Sequence, residues 1–357
     1  MYNWQHKDWP HFEFDSSLNE KELMDFMLKA GVLKGVVSAL PKDISNETIV
    51  EIMVAEAMKT SEIEGEILSK IEVMSSIKNN LGISSNTIAK DKNIIGLSKM
   101  LIDVRNSFAE PLTEKKILEW HKMLMENNER INAGVWRSHN EPMQVVSGSV
   151  TRPTVHFEAP PSLSVPKEMK QFVDWYNNAT INNPLIKSAV AHIYFESIHP
   201  FEDGNGRVGR AIAEKALSQG LNSPVLFSIS RAIEAKRKEY YKELKNGQCS
   251  LDIKQWIDWF VSVINEAQSG SEKIVRFTIK KVHFFDKHNK QLNERQRKVI
   301  NKMLEEEDFK GGMNTKKYIS ITGASKSTAT RDLQDLVELK IFQSIGGGRS
   351  TSYDIIL

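Results

Sequence analysis

A single cysteine, Cys249, leaves no partner for an intrachain disulfide, so a fold held together by sulfur cross-links is excluded. Long hydrophobic runs are missing as well: no stretch approaches the ~18 consecutive apolar residues of a membrane-spanning helix. The opening MYNWQHKDWPHF has none of the apolar core of a secretory leader. A soluble, cytoplasmic protein with no membrane partner is expected. An excess of one charge is also lacking, because 48 Lys and Arg against 46 Asp and Glu leave a net +2 that commits the chain to no partner. With 40% apolar and 26% charged residues, the composition excludes collagen-like, fibrous and disordered classes. What is present is length. At 357 residues the chain exceeds the ~250–300 at which one core stops growing, so two or three domains are expected. The charge is also unevenly placed. Residues 271–357 hold 17 basic against 11 acidic side chains (+6), and residues 1–270 hold 31 against 35 (−4).

Periodicity predicts a mainly α body. Residues 1–17 are aromatic-rich without a helical period, and Trp4, Trp9, Phe12 and Phe14 read as an arm packed on that body. Leu23, Phe26, Met27 and Ala30 fit one face of a helix over 18–33. A second helix over about 47–68 has Ile49, Ile52, Met53, Glu56 and Thr60 spaced at three and four, with Gly65 as a point of bending. Residues 75–92 read as a loop plus a short helix. Helices follow near 93–106, 114–127 (capped by Thr113), 166–178, 185–197, 206–219, 231–245 and 252–268. Between them, residues 132–166 hold five prolines and read as a short hairpin with an extended loop. A linker is expected around Gln268–Ser271. Beyond it come helices at 275–287 and 293–305, then a short helix in TKKYISITG and another in SKSTATRDLQDLVELKI with Ser325 as N-cap. IFQSIGGGRSTSYDIIL reads as a hairpin. Helix, turn, helix, hairpin is a winged-helix pattern.

The densest chemistry lies in HPFEDGNGRVGR, residues 199–210. His199 suits a general base, because its ordinary titration range is near neutrality. Asp203 suits a hard divalent cation such as Mg²⁺, which takes one or two carboxylates together with phosphate oxygens. Gly204, Asn205 and Gly206 allow close backbone approach, and their N–H groups open onto a helix N-terminus, where anions bind. Arg207 and Arg210 offer planar forks for phosphate. A Gly-Asn-Gly turn before arginines can simply cap a helix, but the whole set in twelve residues points to phosphoryl chemistry. The segment matches neither GxxxxGK[ST] nor a GxGxxG turn after a strand.

His199 to Arg210 resembles the full signature of the Fic family, with no departure from it. Gly134-Val135-Trp136-Arg137 resembles the family's element ahead of its substrate-docking flap, and Phe157 to Pro161 and the Tyr240-Tyr241 region resemble that family's core. The resemblance implies a Fic-type helical core with a small β-hairpin flap, plus a C-terminal winged helix-turn-helix domain. The divisions are then 1–92 (an N-terminal helical region), 93–268 (the catalytic core) and 271–357. It further implies a protein adenylyltransferase that moves AMP from ATP to a Ser, Thr or Tyr hydroxyl of a target protein or of itself. His199 would be the base and Asp203 the Mg²⁺ ligand. Gly204, Asn205, Gly206, Arg207 and Arg210 would bind phosphate, and Tyr240 and Tyr241 would line the nucleotide pocket. Residues 139–150 would be the flap that registers the target's backbone; read from sequence alone they are equally a surface hairpin.

Thr60-Ser61-Glu62-Ile63-Glu64-Gly65 resembles the family's inhibitory helix motif. By pattern alone it is as well an exposed acidic helix turn. The resemblance implies that Glu64, one turn from Thr60 and followed by Gly65, pairs with Arg210 and takes the place of the γ-phosphate. Removal of AMP at the same site, transfer of another phosphorylated group, and a nucleotide-sensing, DNA-binding regulator stand as alternatives, and family members often pair through the core. For the tail, Lys326, Ser327, Thr328, Thr330 and Arg331, with Lys317 and Arg349, are candidate nucleic-acid contacts. The modest +6 leaves protein contact equally open. His121, His139, His156 and His192 lack the spacing of a zinc site and read as structural or surface histidines, and Cys249 as incidental.

Overall fold

The computed structural model describes residues 1–15, 20–83, 89–149, 152–288, 290–304, 311–346 and 351–356. The chain divides into two compact units, Met1–Glu272 and Lys273–Leu357, both mainly helical and each with one small antiparallel hairpin.

In the first unit the aromatic opening is a strap. The Asn3 N–H donates to the Gln248 carbonyl (2.8 Å) and its side-chain amide to Ser197 Oγ (2.7 Å). The indole N–H groups of Trp4 and Trp9 donate to the Glu158 carbonyl (2.7 Å) and to Glu168 (2.9 Å), so the rings pack without leaving a buried donor unpaired.

Helix α1 (Glu20–Ala39) turns Phe26, Leu33 and Val37 inward, whereas Met27, expected on that face, is exposed. Helix α2 (Lys42–Ile63) buries Ile52, Met53, Glu56 and Thr60, as their spacing predicts. It stops at Gly65 rather than bending there. The Gly65 N–H bonds back to the Glu62 carbonyl (3.0 Å) and the Glu66 N–H to that of Ser61 (2.9 Å), the paired closure that a left-handed residue after the helix permits. Gly65 has φ +88°, a conformation that strains any side chain. A separate helix α3 (Lys70–Asn80) starts under Ser69, where sequence places the end of one long helix and a loop. Asp91 and Thr113 cap α4 (Lys92–Asn106) and α5 (Glu114–Met125).

Strands β1 (Gln144–Ser149) and β2 (Arg152–Glu158) pair from Gln144↔Glu158 to Ser149↔Arg152, with an irregularity at Val145/Val146. Then come α6 (Val165–Asn178), α7 (Pro184–Ile198), α8 (Asn205–Gly220), α9 (Ile229–Ala235), α10 (Arg237–Gly247) and α11 (Lys254–His288). The one helix expected over 231–245 is thus two, parted at Lys236, and Gln268–Ser271 is helical rather than a linker.

Helix α7 is the axis of this unit: every residue of it except Lys187 is buried, the mark of a helix in the middle of a core. Helix α8 lies close against it at Gly209, where a Cβ would stand 2.5 Å from Glu196 Oε1 and 3.2 Å from Phe195. The loop from His199 to Gly204 therefore joins two closely packed helices.

The second unit packs α12 (Glu294–Met303), α13 (Thr315–Thr322), α14 (Lys326–Glu338), β3 (Phe342–Ile345) and β4 (Ser352–Ile355) around Val299, Ile300, Tyr318, Leu333, Leu336 and Ile341. Ser325 caps α14 as expected. The buried Asp332 gathers Arg295 (2.8 Å), Asn293 (3.1 Å) and the Tyr318 hydroxyl (2.9 Å), so its charge is fully answered. Those partners outweigh burial and hold its carboxyl below the usual range. Arg349 lies outside the described residues. Among the described residues, no helix is long and apolar enough to cross a membrane.

Candidate functional site

The site begins where α7 ends. His199 closes that helix in the left-handed region (φ 49°, ψ 61°), which turns the chain sharply out of the helix path, and it lines the cavity described below. A buried arginine holds this turn. Arg137 donates to the carbonyls of His199 (2.8 Å), Pro160 (2.5 Å) and Ile198 (3.3 Å) and to Ser162 Oγ (2.8 Å). Burial alone draws its guanidinium down to about 10.

Phe201 anchors the loop, stacked on His121 with ring centres 3.7 Å apart. His121 Nδ1 accepts the Gly134 N–H (2.9 Å), which leaves Nε2 to donate to the Asp203 carbonyl (3.1 Å). Burial pushes His121 down to about 4, so it works as a neutral brace. Asn205 is a second brace: its amide donates to the Phe201 carbonyl (2.8 Å) and its oxygen accepts the Phe201 N–H (2.9 Å). The side chain's oxygen and one of its amide hydrogens are thus committed to the loop, which leaves the second amide hydrogen for a ligand. Gly204 (φ +81°) precedes α8, whose first N–H groups have no carbonyl within the helix to bond.

The arginines of α8 face different neighbours. Arg210, buried, donates through Nε to Thr60 Oγ1 (2.9 Å) and through Nη2 to the Thr60 carbonyl (3.0 Å) and Glu64 Oε1 (2.8 Å). Burial disfavours its charge, but Glu64 more than compensates and raises its pKa. The Glu64 carboxylate lies directly against Gly206, in the space a Cβ on that residue would take. Arg207 instead donates to Glu66 (2.9 Å) and lies 3.5 Å from Asp203. It lines a neighbouring cavity of about 370 Å³ shared with Glu66, Asp203 and Arg130. The helix closure at Gly65 thus delivers two carboxylates, Glu64 and Glu66, one to each arginine.

A cavity of about 530 Å³ unites Glu64, His199, Asp203, the Gly204–Gly206 turn and the Tyr240/Tyr241 pair, with Met143 to Val145 of the hairpin base on its wall. Tyr240 is buried with its hydroxyl 3.0 Å from His192 Nε2, and Tyr241 donates to the Ile63 carbonyl (3.2 Å) at the end of α2. Burial raises both phenols. The structure therefore brings Thr60, Glu64, His199, Asp203, Gly204 to Arg207, Arg210 and both tyrosines together.

Sequence reasoning missed Glu66 and Glu196 and gave Arg137, which it named within a family-like segment, no role of its own. The Glu196 carboxylate is buried one turn before the histidine, with Oε2 3.6 Å from His199 Nδ1. Burial would raise it, yet His199, His192 and Arg210 hold it below the ordinary range. Its (i, i+3) spacing from a helix-terminal histidine was the available signal.

Residues 111–217 match the Fic/DOC family model, and residues 2–83 match DUF4172, a domain of unknown function. The chain is 28% identical over 187 residues to the protein adenylyltransferase Fic of Drosophila willistoni. It is 27% identical over 191 residues to the protein adenylyltransferase fic-1 of Caenorhabditis elegans. These matches take in 51% and 52% of this chain but 34% of each relative, so the chain spans about a third of their length. A crystal structure of a Fic family protein from Desulfovibrio desulfuricans G20 superposes over 97% of this chain and 98% of its own, with TM-score 0.56 at 19% identity. Fic-1 (residues 134–508) of C. elegans superposes over 74% of each chain, with TM-score 0.52 at 21% identity. The family model runs through α5, α6, α7 and most of α8 and so contains the whole His199–Arg210 loop: residues 111–217 of this chain match the Fic/DOC family.

Proposed function

We propose that the chain is a protein adenylyltransferase held in check by its own α2. The observation that carries this is the convergence of His199, the α8 N-terminus and the Glu64–Arg210 pair on one cavity. His199 accepts the proton of a Ser, Thr or Tyr hydroxyl on the target or on a second site of this chain. The hydroxyl oxygen bonds to the α-phosphorus of ATP, the bond from that phosphorus to the β-phosphate oxygen breaks, and pyrophosphate departs. The Gly204–Gly206 turn and the free N–H groups of α8 lie ready for the charge that grows on the α-phosphoryl oxygens, with no reorganisation needed at the moment of reaction. Arg207 and Arg210 answer the outer phosphates once Glu66 and Glu64 yield them, and Tyr240 and Tyr241 wall the nucleotide pocket. The hairpin base supplies an edge for the target backbone.

Among the described residues, no group of three or more His, Cys, Asp and Glu side chains could cage a metal. Asp203, half-exposed beside the cavity, does fit the one-carboxylate role that Mg²⁺ uses alongside phosphate oxygens, and there the ion would neutralise phosphate charge. The test uses ATP labelled at either end. Label from the α-phosphate should stay on protein and label from the γ-phosphate should not; retention of γ-label would replace this reading with kinase chemistry.

Glu196 is assigned as the residue that steadies the imidazolium formed when His199 takes the proton. Glu196→Gln should lower the transfer rate with ATP binding unchanged, because the neutral amide no longer offsets the charge that His199 gains on taking the proton. An unchanged rate would restrict Glu196 to packing.

A second reading applies to Lys273–Leu357, which we propose is a winged-helix domain. Lys326, Ser327, Thr330 and Arg331 form an open polar groove on α14, which suits a recognition helix. Duplex DNA titrated with the full chain should bind with a log–log salt dependence, and Lys326→Ala and Arg331→Ala should each reduce its slope by about one. Salt-independent or absent binding would favour a protein partner instead.

A further inference from the structure

We infer that α1 is a self-association surface: its outer face docks antiparallel on α1 of a second copy of this chain. The helix carries two apolar stripes. Leu23, Phe26, Ala30, Leu33 and Val37 recur at three and four and cover the core, with Phe26, Leu33 and Val37 buried. On the opposite side Met24, Leu28, Gly31 and Gly35 recur at the same spacing, with Val32 beside them. Met24, Leu28 and Val32 are 74%, 69% and 60% exposed. Nothing stands within 4 Å of where a Cβ would project from Gly31 or Gly35. A helix that only had to cover a core would show polar residues there. Each glycine in a solvent-facing helix weakens it against alanine, a cost that close approach of another helix offsets.

The charges along α1 identify the occupant. Glu20, Glu22 and Asp25 against Lys21 leave the first part, Glu20–Leu28, at −2, while Lys29 and Lys34 set Lys29–Ala39 at +2. An antiparallel copy lays each half beside its opposite, at both ends by symmetry; a parallel copy would lay like on like. The same reversal sets Leu28 across from the copy's Gly31 and Met24 across from its Gly35, large against small along the seam. A patch complementary to itself about a two-fold axis is what an isologous dimer requires. The helix as a whole is neutral, with three acids and three lysines, so it has no pull toward an anionic lipid surface.

Sedimentation of the full chain should give twice the 40.6 kDa monomer mass. Met24→Glu/Leu28→Glu should sediment as a monomer with an unchanged thermal midpoint. Independently, in a Cys249→Ser background, Leu28→Cys should link to its own copy through a short bis-maleimide. Met24→Cys should not, because the antiparallel seam separates its two copies by about 16 Å along the axis at 1.5 Å per residue. A monomeric wild type at tens of micromolar, a dimer that survives both glutamates, or linkage at position 24 as ready as at 28 would each overturn the proposal.

Discussion

Glu64→Gly should raise AMP transfer by about 10- to 100-fold, since a charge-assisted contact worth about 1.5–3 kcal/mol no longer has to be broken before phosphate reaches Arg210. The reasoning is local. Arg210 is buried and spends its Nη2 on Glu64 and Thr60, so an incoming γ-phosphate competes for a guanidinium already answered. Removing the Thr60 contacts would loosen the fold as well; removing the Glu64 carboxylate takes only the competitor. Initial rates of label incorporation from α-labelled ATP measure the effect, with the thermal midpoint as a control for folding. Glu66→Gln, which frees Arg207, should give a smaller rise, because Glu66 is half-exposed and its pair is screened by water. No rise in the Glu64 variant, with the protein folded, would remove the inhibitory role.

His199→Ala in that activated background should cost about 10²–10⁴-fold, the usual contribution of a positioned general base. Arg137 and Asn205 hold the loop through backbone carbonyl and N–H groups, so the truncation should leave the cavity intact. ATP binding should therefore survive while transfer fails. This split is measured by titrating ATP calorimetrically and following label in parallel. A variant that still transfers at the parent rate would require another base; one that loses ATP binding along with transfer would make His199 a structural residue.

What sequence revealed of this site was what lies contiguous in it. HPFEDGNGRVGR carries its own turn, its own helix start and both arginines. Thr60, Glu64 and Gly65 are visible only through the family resemblance, since by helix spacing alone the stretch is equally an exposed acidic turn. The remaining parts depend on chain segments far apart in sequence. Glu66 reaches Arg207 across 141 positions, and Arg137 reaches the His199 carbonyl across 62. No periodicity encodes such meetings. Asn205 shows a different limit: its type suits a phosphate contact, and only the fold reveals that its oxygen and one amide hydrogen already brace Phe201. The same holds for local structure. Gly65 is a plausible bend until the bonds back to Ser61 and Glu62 make it a terminus, and Gln268–Ser271 has linker composition yet continues a helix because Gln268 and Ser271 are buried.

Intact-mass spectrometry of the folded chain after incubation with ATP and Mg²⁺ tests the central claim most directly. Wild type, Glu64→Gly and Glu64→Gly/His199→Ala would be compared, with a target lysate as the second acceptor. The expected result is an added adenylyl group on protein that is abundant with Glu64→Gly, scarce with wild type and absent with the double variant. An unmodified Glu64→Gly reaction, an increment of phosphoryl size, or equal labelling in the double variant would contradict it.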